Sequence, residues 1–333
     1  MSDVPLSALE VAAIQAGARA VDTLRDTAPF AARLDRLGYR RLWYAEHHHS
    51  PAIGAFPPVV LAAHAAAATS ALRVGSGGVL APSHAPLMLA EQFGTLAALH
   101  GGRVDLGIGR GPGTFDEATA RALRGAAGPL TDDGYRTAVA DTLRFLVAEV
   151  ALGTPPEPWL LASSTAGAAL AGELGLPVAV AHHIRPDNTL AVLERYRSRF
   201  TASRWCERPR ALVCVETVCA PTRAEAEFLA GPMDVIRAGL LKGVSDSPFP
   251  TPKDAAEHVF TPEERAVLAG FRAQQAVGGP GEVAARLGEL AAATGADELM
   301  LTTPVYAFAD RVRSYALVRE RFGDGTRATA DRG

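Results

Sequence analysis

Short apolar runs, many of them β-branched, alternate with stretches of helical spacing about eight times along this chain. Predicted strands lie at 6–13, 42–45, 74–80, 104–108, 159–162, 178–181, 211–220 and 299–303. Such regular alternation favours an α/β fold, namely a single (β/α)8 TIM barrel. A doubly wound parallel sheet is the alternative, but no GxGxxG motif follows the first strand.

No composition break divides the chain, so one barrel domain is expected over residues 1–325, and 326–333 is predicted to be a disordered tail. The proline-rich stretch 243–262 reads as an insertion near strand 7. Residues 15–26 are predicted to form a polar loop. Asp297 and Glu298, just before the last strand, are predicted to form a solvated turn.

Charge and cysteine usage exclude several classes of protein. The net charge is −3 and no basic stripe is present, which argues against a nucleic-acid partner. Three cysteines without a CxxC motif predict neither a disulfide framework nor a zinc site. The chain starts without a signal-peptide pattern, and no apolar run reaches about 18 residues. We therefore expect a cytoplasmic protein without a membrane span.

The stretch 73–113 reads as strand, helix, strand and a final loop that carries Arg110 between glycines. Glycines 75, 77 and 78 interrupt the first of these strands, and small residues there would let a flat ring lie against the backbone. A cation and an accessible backbone at one edge of a sheet suit an anionic cofactor. Arg110 could equally be an ordinary surface arginine.

Glu46 and three consecutive histidines, His47, His48 and His49, follow the second predicted strand. Loops after barrel strands build active sites. Alternation along an extended chain separates His48 from its two neighbours, so no metal site is predicted. We expect His47 to line a pocket as a hydrogen-bond donor or proton shuttle, and a solvated loop is the alternative.

Ser163 and Ser164 precede a predicted helix at 166–174. The simplest interpretation is N-capping of that helix. The functional interpretation is that the same helix N-terminus binds a phosphate through its free N–H groups. Phosphate sites are frequent in the late loops of barrels.

Five motifs along nearly the whole chain resemble the bacterial luciferase-like monooxygenase family, and most closely its group 1 luciferase family oxidoreductases. They are LWYAEHH (42–48), VGSGGV (74–79), APLMLAEQFGTL (85–96), GRVDLGIGRGPG (102–113) and GADELMLTT (295–303).

The resemblance implies an enzyme that uses reduced FMN and O2 to oxygenate a small organic substrate through a flavin C4a-(hydro)peroxide. It implies a catalytic histidine at His47, beside Glu46, and phosphate ligands at Arg110, Ser163 and Ser164. It also implies a non-proline cis peptide between Ser76 and Gly77, packed under the flavin ring.

One position departs from the luciferases themselves, which carry a reactive cysteine where this chain has Gly109, so light emission is not expected. Related barrels use the deazaflavin F420. An F420- or flavin-dependent dehydrogenase without O2 is therefore one alternative, and a non-catalytic flavin-binding barrel is another. No NAD(P)H-binding motif is visible, so a separate NAD(P)H:flavin reductase is expected to supply reduced flavin.

A homodimer is expected to pair through the alanine-rich helices 59–68 and 86–98, because small side chains let helices approach closely. The alternative is that these alanines face the barrel.

Overall fold

Strand β1 (Leu6–Glu10) pairs in parallel with both the second strand and the last, and this pairing closes the sheet into a barrel. The computed structural model describes residues 4–322 apart from 51, 53, 55, 112, 115, 125–129, 149–152 and 245–246. The other barrel strands are β2 (Arg41–Tyr44), β3 (Arg73–Leu80), β4 (Val104–Gly109), β5 (Glu157–Ala162), β6 (Val178–Val180), β7 (Ala211–Cys219) and β9 (Glu298–Thr302). The predicted (β/α)8 barrel is thereby confirmed.

Helices surround the barrel. They are α1 (Ala20–Arg36), α2 (Pro58–Ala67), α3 (Pro86–His100), α4 (Glu117–Arg124), α5 (Asp132–Ala148), α6 (Thr165–Glu173), α7 (Thr189–Arg199), α8 (Arg223–Leu241), α9 (Pro252–Glu257), α10 (Pro262–Arg272), α11 (Pro280–Thr294) and α12 (Phe308–Phe322). Of these helices, α1, α2, α3, α5, α6, α7, α11 and α12 bury side chains in the main core of the barrel. Gly101 ends α3 in the left-handed conformation at φ 60°, as expected for a helix C-cap.

Helix α1 begins at Ala20, so the prediction of a loop over 15–26 is wrong for its second half. The buried face of this helix combines Thr23 and Thr27 with Phe30 and Leu34. Threonines break a purely apolar pattern, and here they occupy the inward positions at helical spacing.

The predicted insertion, 243–262, falls within a longer segment after β7, which we call the insertion from here on. This segment contributes α8, α9, α10 and the short strand β8 (Ala276–Gly278) before the barrel resumes with α11. Strand β8 pairs with the far end of β7 at 217–219, beyond the residues of β7 that pair with β9. Its three residues are too few to show a strand pattern in the sequence. The predicted tail, 326–333, lies outside the described residues.

The alanine-rich faces of α2 and α3 turn toward the barrel. Ala62, Ala65 and Ala66 of α2 are buried, as are Ala90 and Ala97 of α3. These side chains therefore pack within the chain's own core. The outward faces of the same two helices expose larger apolar side chains, namely Val60, Leu87, Met88 and Leu99.

An ionic network fills the end of the barrel where the strands begin. The Arg41 guanidinium, which is 0% exposed, donates to both Glu298 oxygens at 2.7 and 3.0 Å and to Asp105 at 2.8 Å. Glu157 lies 3.5 Å from the same guanidinium. The prediction that Glu298 lies in a solvated turn is therefore wrong, because its carboxylate is buried against Arg41.

Two tryptophans pack beside this network. The rings of Trp43 and Trp159 meet edge to face at 5.6 Å, and the Trp43 indole N–H donates to Asp105 at 2.8 Å. The guanidinium groups of Arg41 and Arg210 lie 4.8 and 4.7 Å from the Trp159 ring. Charged and aromatic groups thus close this end of the barrel, and the opposite end is left for a cavity.

Replacing Arg41 by Met is expected to lower the free energy of unfolding by about 3–5 kcal/mol, because it leaves buried carboxylates without their cation. The neighbouring Arg40 contacts the same Glu298 at 3.5 Å but is 47% exposed, so Arg40→Met is expected to cost at most about 1 kcal/mol. Urea unfolding followed by circular dichroism measures both. Equal losses in the two variants would contradict a buried role for Arg41.

Candidate active site

A cavity of about 700 Å³ opens where the barrel strands end. Its wall includes most of the residues predicted from the sequence, namely Glu46, His47, Gly77, Arg110, Ser163 and Ser164. Because all barrel strands are parallel, the loops that follow them meet at one face. The cavity size lies within the range of small-molecule and cofactor sites.

Glu46, in the cavity wall, binds three other groups of the protein. Its buried carboxylate lies 2.8 Å from Nε2 of both His48 and His84, and it accepts the Leu80 backbone N–H at 2.8 Å. Burial alone would raise the pKa of Glu46, but these hydrogen bonds lower it to about 2. An ionised carboxylate only accepts hydrogen bonds, so both imidazoles donate from Nε2. Glu46 therefore fixes two loops rather than exchanging protons.

His47 faces the cavity and has an unused ring nitrogen. Its Nδ1 is buried and makes no hydrogen bond. Burial, and secondarily the nearby His48, lower the pKa of His47 to about 4, against an opposing effect of Glu46. The imidazole is therefore neutral near pH 7 and can donate or accept one hydrogen bond inside the cavity.

His183 faces the same cavity from the loop after β6, and its functional position was missed from the sequence. Burial lowers the pKa of His183 to about 4, although its Nδ1 lies 3.3 Å from the Cys214 carbonyl oxygen. The pair His182-His183 directly after a strand was the available signal, because it repeats the arrangement after β2. His84, the second partner of Glu46, lies on the loop after β3. The sequence alone did not indicate that it contacts Glu46.

Strand β3 differs from expectation in its backbone. In the described part of the chain, the non-proline cis peptide lies between Gly77 and Gly78, not between Ser76 and Gly77. Ser76 keeps its regular pairing with Leu106, and its hydroxyl donates to the Gly107 carbonyl at 2.8 Å. The register with β4 shifts only after Ser76, so the irregular bond falls one residue later.

Ser76 is therefore fully buried in the barrel wall and is not among the residues that line the cavity. Gly77 does line the cavity, but a side chain there would meet Leu9 at 2.6 Å and Trp43 at 3.0 Å. Packing inside the barrel thus requires this glycine, whatever lies against the cavity side of its backbone.

The loops after β4 and β5 bring to the same cavity groups that suit a phosphate. Ser164 caps α6, where its hydroxyl accepts the Gly167 N–H at 3.3 Å, and Ser163 precedes it at the same cavity wall. The first N–H groups of a helix have no partner within the helix, and the helix dipole favours an anion there. Arg110, after β4, lines the same cavity with half of its side chain exposed.

Two carboxylates hold the arginines of this region. Arg110 pairs with Asp132 at 2.5 Å, and Arg136 pairs with Glu173 at 2.6 Å. The Tyr135 ring lies 6.0 Å from the Arg110 guanidinium, and its buried hydroxyl makes no hydrogen bond. Both arginines therefore stand at the cavity in exposed ion pairs, which an incoming anion can exchange at small cost.

A second chamber of about 380 Å³ adjoins the first. The two share Val11, His47, Gly113, His183 and Ile184 in their walls. The insertion supplies the outer wall of this chamber, with Met233, Arg237 and Leu240 from α8 and Phe271 from α10. The two histidines thus lie where the chambers meet, and the insertion completes the second one.

In the part of the chain that the structure describes, no group of three or more His, Cys, Asp or Glu side chains is arranged to hold a metal ion. The distances from Glu46 to its two histidines are those of hydrogen bonds.

In the described part of the chain, no helix is both long enough and apolar enough to span a membrane.

A parallel barrel with a helix N-terminus, an arginine and two imidazoles around one cavity has the architecture of a cofactor-binding TIM-barrel enzyme. The family model for luciferase-like monooxygenases matches residues 7–132 and 117–298. The chain belongs to the luciferase-like monooxygenase family.

Two of the relatives match over nearly their whole length. The uncharacterised protein YvbT of Bacillus subtilis (strain 168) is 37% identical over 329 residues, which are 96% of this chain and 96% of YvbT. A luciferase-like monooxygenase of Escherichia coli (strain K12) is 34% identical, over 95% of this chain and 96% of its own.

Solved structures agree with the fold. The crystal structure of apo-MsnO8 superposes with a TM-score of 0.85 at 33% identity, over 96% of this chain and 98% of MsnO8. The oxygenating constituent of 3,6-diketocamphane monooxygenase from Pseudomonas putida, solved with FMN, reaches 0.72 at 19% identity, over 97% and 99% of the two chains. An F420-dependent secondary alcohol dehydrogenase reaches 0.69 at 15% identity, over 96% and 99%. Barrels of this fold thus bind FMN or F420.

The two cavity histidines are expected to titrate with midpoints near 4 in the folded protein, against 6.5 for a free imidazole. Between these pH values the unfolded chain binds more protons, so the free energy of unfolding should fall as the pH drops from 6.5 toward 4. NMR titration of the imidazole signals measures the midpoints, and the same protein in urea is the control. Folded-state midpoints near 6.5 would contradict the burial of these rings.

Proposed function

We propose that this protein is an FMN-dependent monooxygenase that oxygenates a small organic substrate with O2. The observation that carries the proposal is that one cavity brings Arg110, Ser163 and Ser164 together with the neutral His47. A cofactor whose phosphate binds at Arg110 and the two serines would have its reactive end in the same cavity as His47. Family membership supports oxygenation as the reaction.

The residues present fit FMN in their chemistry. The N-terminus of α6, the two serines and Arg110 offer donors and positive charge to a phosphate. Two buried polar atoms in the cavity wall, His47 Nδ1 and the Tyr135 hydroxyl, have no protein partner and can bond to a ligand. Reduced FMN, when bound, supplies the electrons with which O2 oxygenates the substrate.

His47 and Glu46 have different tasks in this proposal. Glu46 holds its loop to β3 through the Leu80 N–H and to His84, so the chain enters the cavity in one conformation. His47 is then presented with a free Nδ1, and its low pKa keeps the ring neutral. A neutral imidazole can donate a proton at one nitrogen or accept one at the other, which suits a group that hydrogen-bonds to oxygen at the reacting centre. Glu46 is a positioning residue.

Reduced flavin is proposed to come from a separate NAD(P)H:flavin reductase. The chain shows no dinucleotide-binding motif, and the cavity that would hold FMN opens to solvent beside exposed residues such as Arg110 and Ser164. An exposed phosphate site allows flavin to enter and leave between turnovers.

A homodimer through α2 and α3 is also proposed. Leu99 is 73% exposed and Val60 61% exposed, and Met88 lies on the same pair of helices. Large apolar side chains exposed on adjacent helices are typical of an interaction surface.

Arg110→Ala is expected to weaken FMN binding about tenfold, because it removes a charge-assisted hydrogen bond to phosphate from a half-exposed site. Riboflavin, which lacks the phosphate, should bind the variant and the native protein equally. Absorbance titrations with FMN, riboflavin and F420 measure this and also distinguish the two cofactor classes. The control variant is Arg121→Ala, an exposed arginine on α4. Equal losses for FMN and riboflavin would refute the phosphate role.

His47→Ala is expected to leave FMN bound but to uncouple flavin oxidation from product formation, so more hydrogen peroxide is released. The reason is loss of the free imidazole beside the reacting centre. The control is His258→Ala, since His258 is exposed and lines neither chamber. Comparing peroxide and product yields per reduced FMN consumed tests the role. Unchanged coupling in His47→Ala would count against it.

Leu99→Glu is expected to convert the dimer to a monomer at micromolar concentration, because it places a charge in the apolar face of α3. Val259→Glu is the control, since Val259 is 84% exposed but lies in the insertion. Sedimentation velocity measures the state of each. A native protein that sediments as a monomer would refute the dimer.

A further inference from the structure

The second chamber has one charged feature, a buried ion pair between the barrel and the insertion. Glu216 on β7 is 3% exposed and Arg237 on α8 is 9% exposed. Arg237 donates through Nη2 to Glu216 Oε2 and through Nη1 to Oε1 at 3.3 Å. Glu216 Oε1 also accepts from Gln275 Nε2 at 2.9 Å. Both carboxylate oxygens are thus in use.

The charges around this pair are balanced. Asp234 lies 3.6 Å from Arg237 and is itself paired with Arg272 at 2.7 Å. Among the described residues of the chamber wall, Glu216 and Arg237 are the charged side chains other than histidines. The Arg237 guanidinium also lies 5.0 Å from the Phe271 ring, which covers another of its faces.

A substrate carboxylate could bind the N–H groups of Arg237 that Glu216 leaves free, which would place two negative charges against one guanidinium, or it could displace Glu216. The displaced Glu216 would remain buried without a cation, and separating a buried ion pair in this way is strongly unfavourable. A cationic substrate would have to compete with Arg237 for the Glu216 carboxylate, and it would leave the Arg237 guanidinium buried without an anion if it displaced it. A neutral molecule needs neither change, and it gains burial against Met233, Leu240 and Phe271.

We propose that the second chamber binds the organic substrate as a neutral, largely apolar molecule, and that Glu216 excludes carboxylates by occupying Arg237. The proposal rests on the proposed function only in calling this ligand the substrate. The polar atom of such a ligand can bond to His47 or His183, which lie where the two chambers meet. Both imidazoles are neutral near pH 7, since burial lowers their pKa values to about 4, so they add no charge to the wall.

Two probes of nearly equal shape test this selectivity. Benzylacetone is a neutral aryl ketone, and hydrocinnamate carries a carboxylate in place of its acetyl group. The native protein is expected to bind benzylacetone at least about tenfold more tightly than hydrocinnamate. Isothermal calorimetry, with and without added FMN, measures both affinities. Equal affinities, or a preference for hydrocinnamate, would overturn the proposal.

Glu216→Gln provides the sharper test. The variant keeps the shape of the side chain but frees the charge of Arg237, so it should gain hydrocinnamate binding by about tenfold or more. Thermal unfolding by circular dichroism establishes that the variant is folded. A folded variant that still rejects hydrocinnamate would overturn the role of Glu216.

The double variant Glu216→Gln, Arg237→Met is the matched control, because it makes the same change at Glu216 without leaving a cation. It should bind benzylacetone and continue to reject hydrocinnamate, and it stays informative if Glu216→Gln alone fails to fold. Gain of hydrocinnamate binding by the double variant would contradict the proposal.

Met233→Trp, which fills the chamber, should abolish binding of benzylacetone. Retained binding would show that the ligand binds elsewhere and would overturn the proposal.

Failure of this inference is distinguishable from failure of the proposed function. Flavin affinity is read from absorbance titrations of the same samples, whereas probe selectivity is read without any turnover. A protein that binds no flavin but discriminates between the probes retains the neutral chamber and loses the monooxygenase role. A protein that binds FMN and binds both probes equally would keep the proposed cofactor but would contradict the selectivity of the second chamber.

Discussion

The Arg41 guanidinium is the group on which the barrel most depends. It reaches from β2 to Glu298 on β9 and to Asp105 on β4, so one side chain ties strands on several sides of the closed sheet. A charge without exposure to water is tolerated only when its hydrogen bonds are satisfied, and here carboxylates at 2.7–3.0 Å provide them. Trp43 and Trp159 pack beside these charges and help to close this end of the barrel. Because one end is closed in this way, the other end can remain open without loss of the core.

The open end of the barrel contains both exposed and buried ion pairs. Ion pairs that face solvent, such as Arg110 with Asp132, stand where an anion can replace the carboxylate at little cost. The buried pair of Glu216 and Arg237 stands where such replacement is expensive. We therefore expect the same type of contact to admit an anion in the first chamber and to exclude one from the second, because only the second pair is buried.

Residues near the ends of strands were predictable, and their partners were not. Glu46, His47, Arg110 and Ser163 all follow recognisable strands, and the parallel barrel then brings them to one face. That His48 and His84 would share Glu46, leaving His47 unpaired, depends on how two loops fold over each other. Similarly, Ser76 was expected at the cofactor, but its hydroxyl is used within the sheet, where it bonds to Gly107.

The sequence by itself determined the order of the eight barrel strands and the family, because periodicity, glycines and contiguous motifs are local properties. The tertiary structure alone decided which charges are buried. Glu298 adjoins a turn in the sequence and yet lies against Arg41, and Glu216 meets Arg237 across the insertion. Such pairs join residues far apart in the chain, and their electrostatic effect depends on the exclusion of water, which only the packed barrel provides.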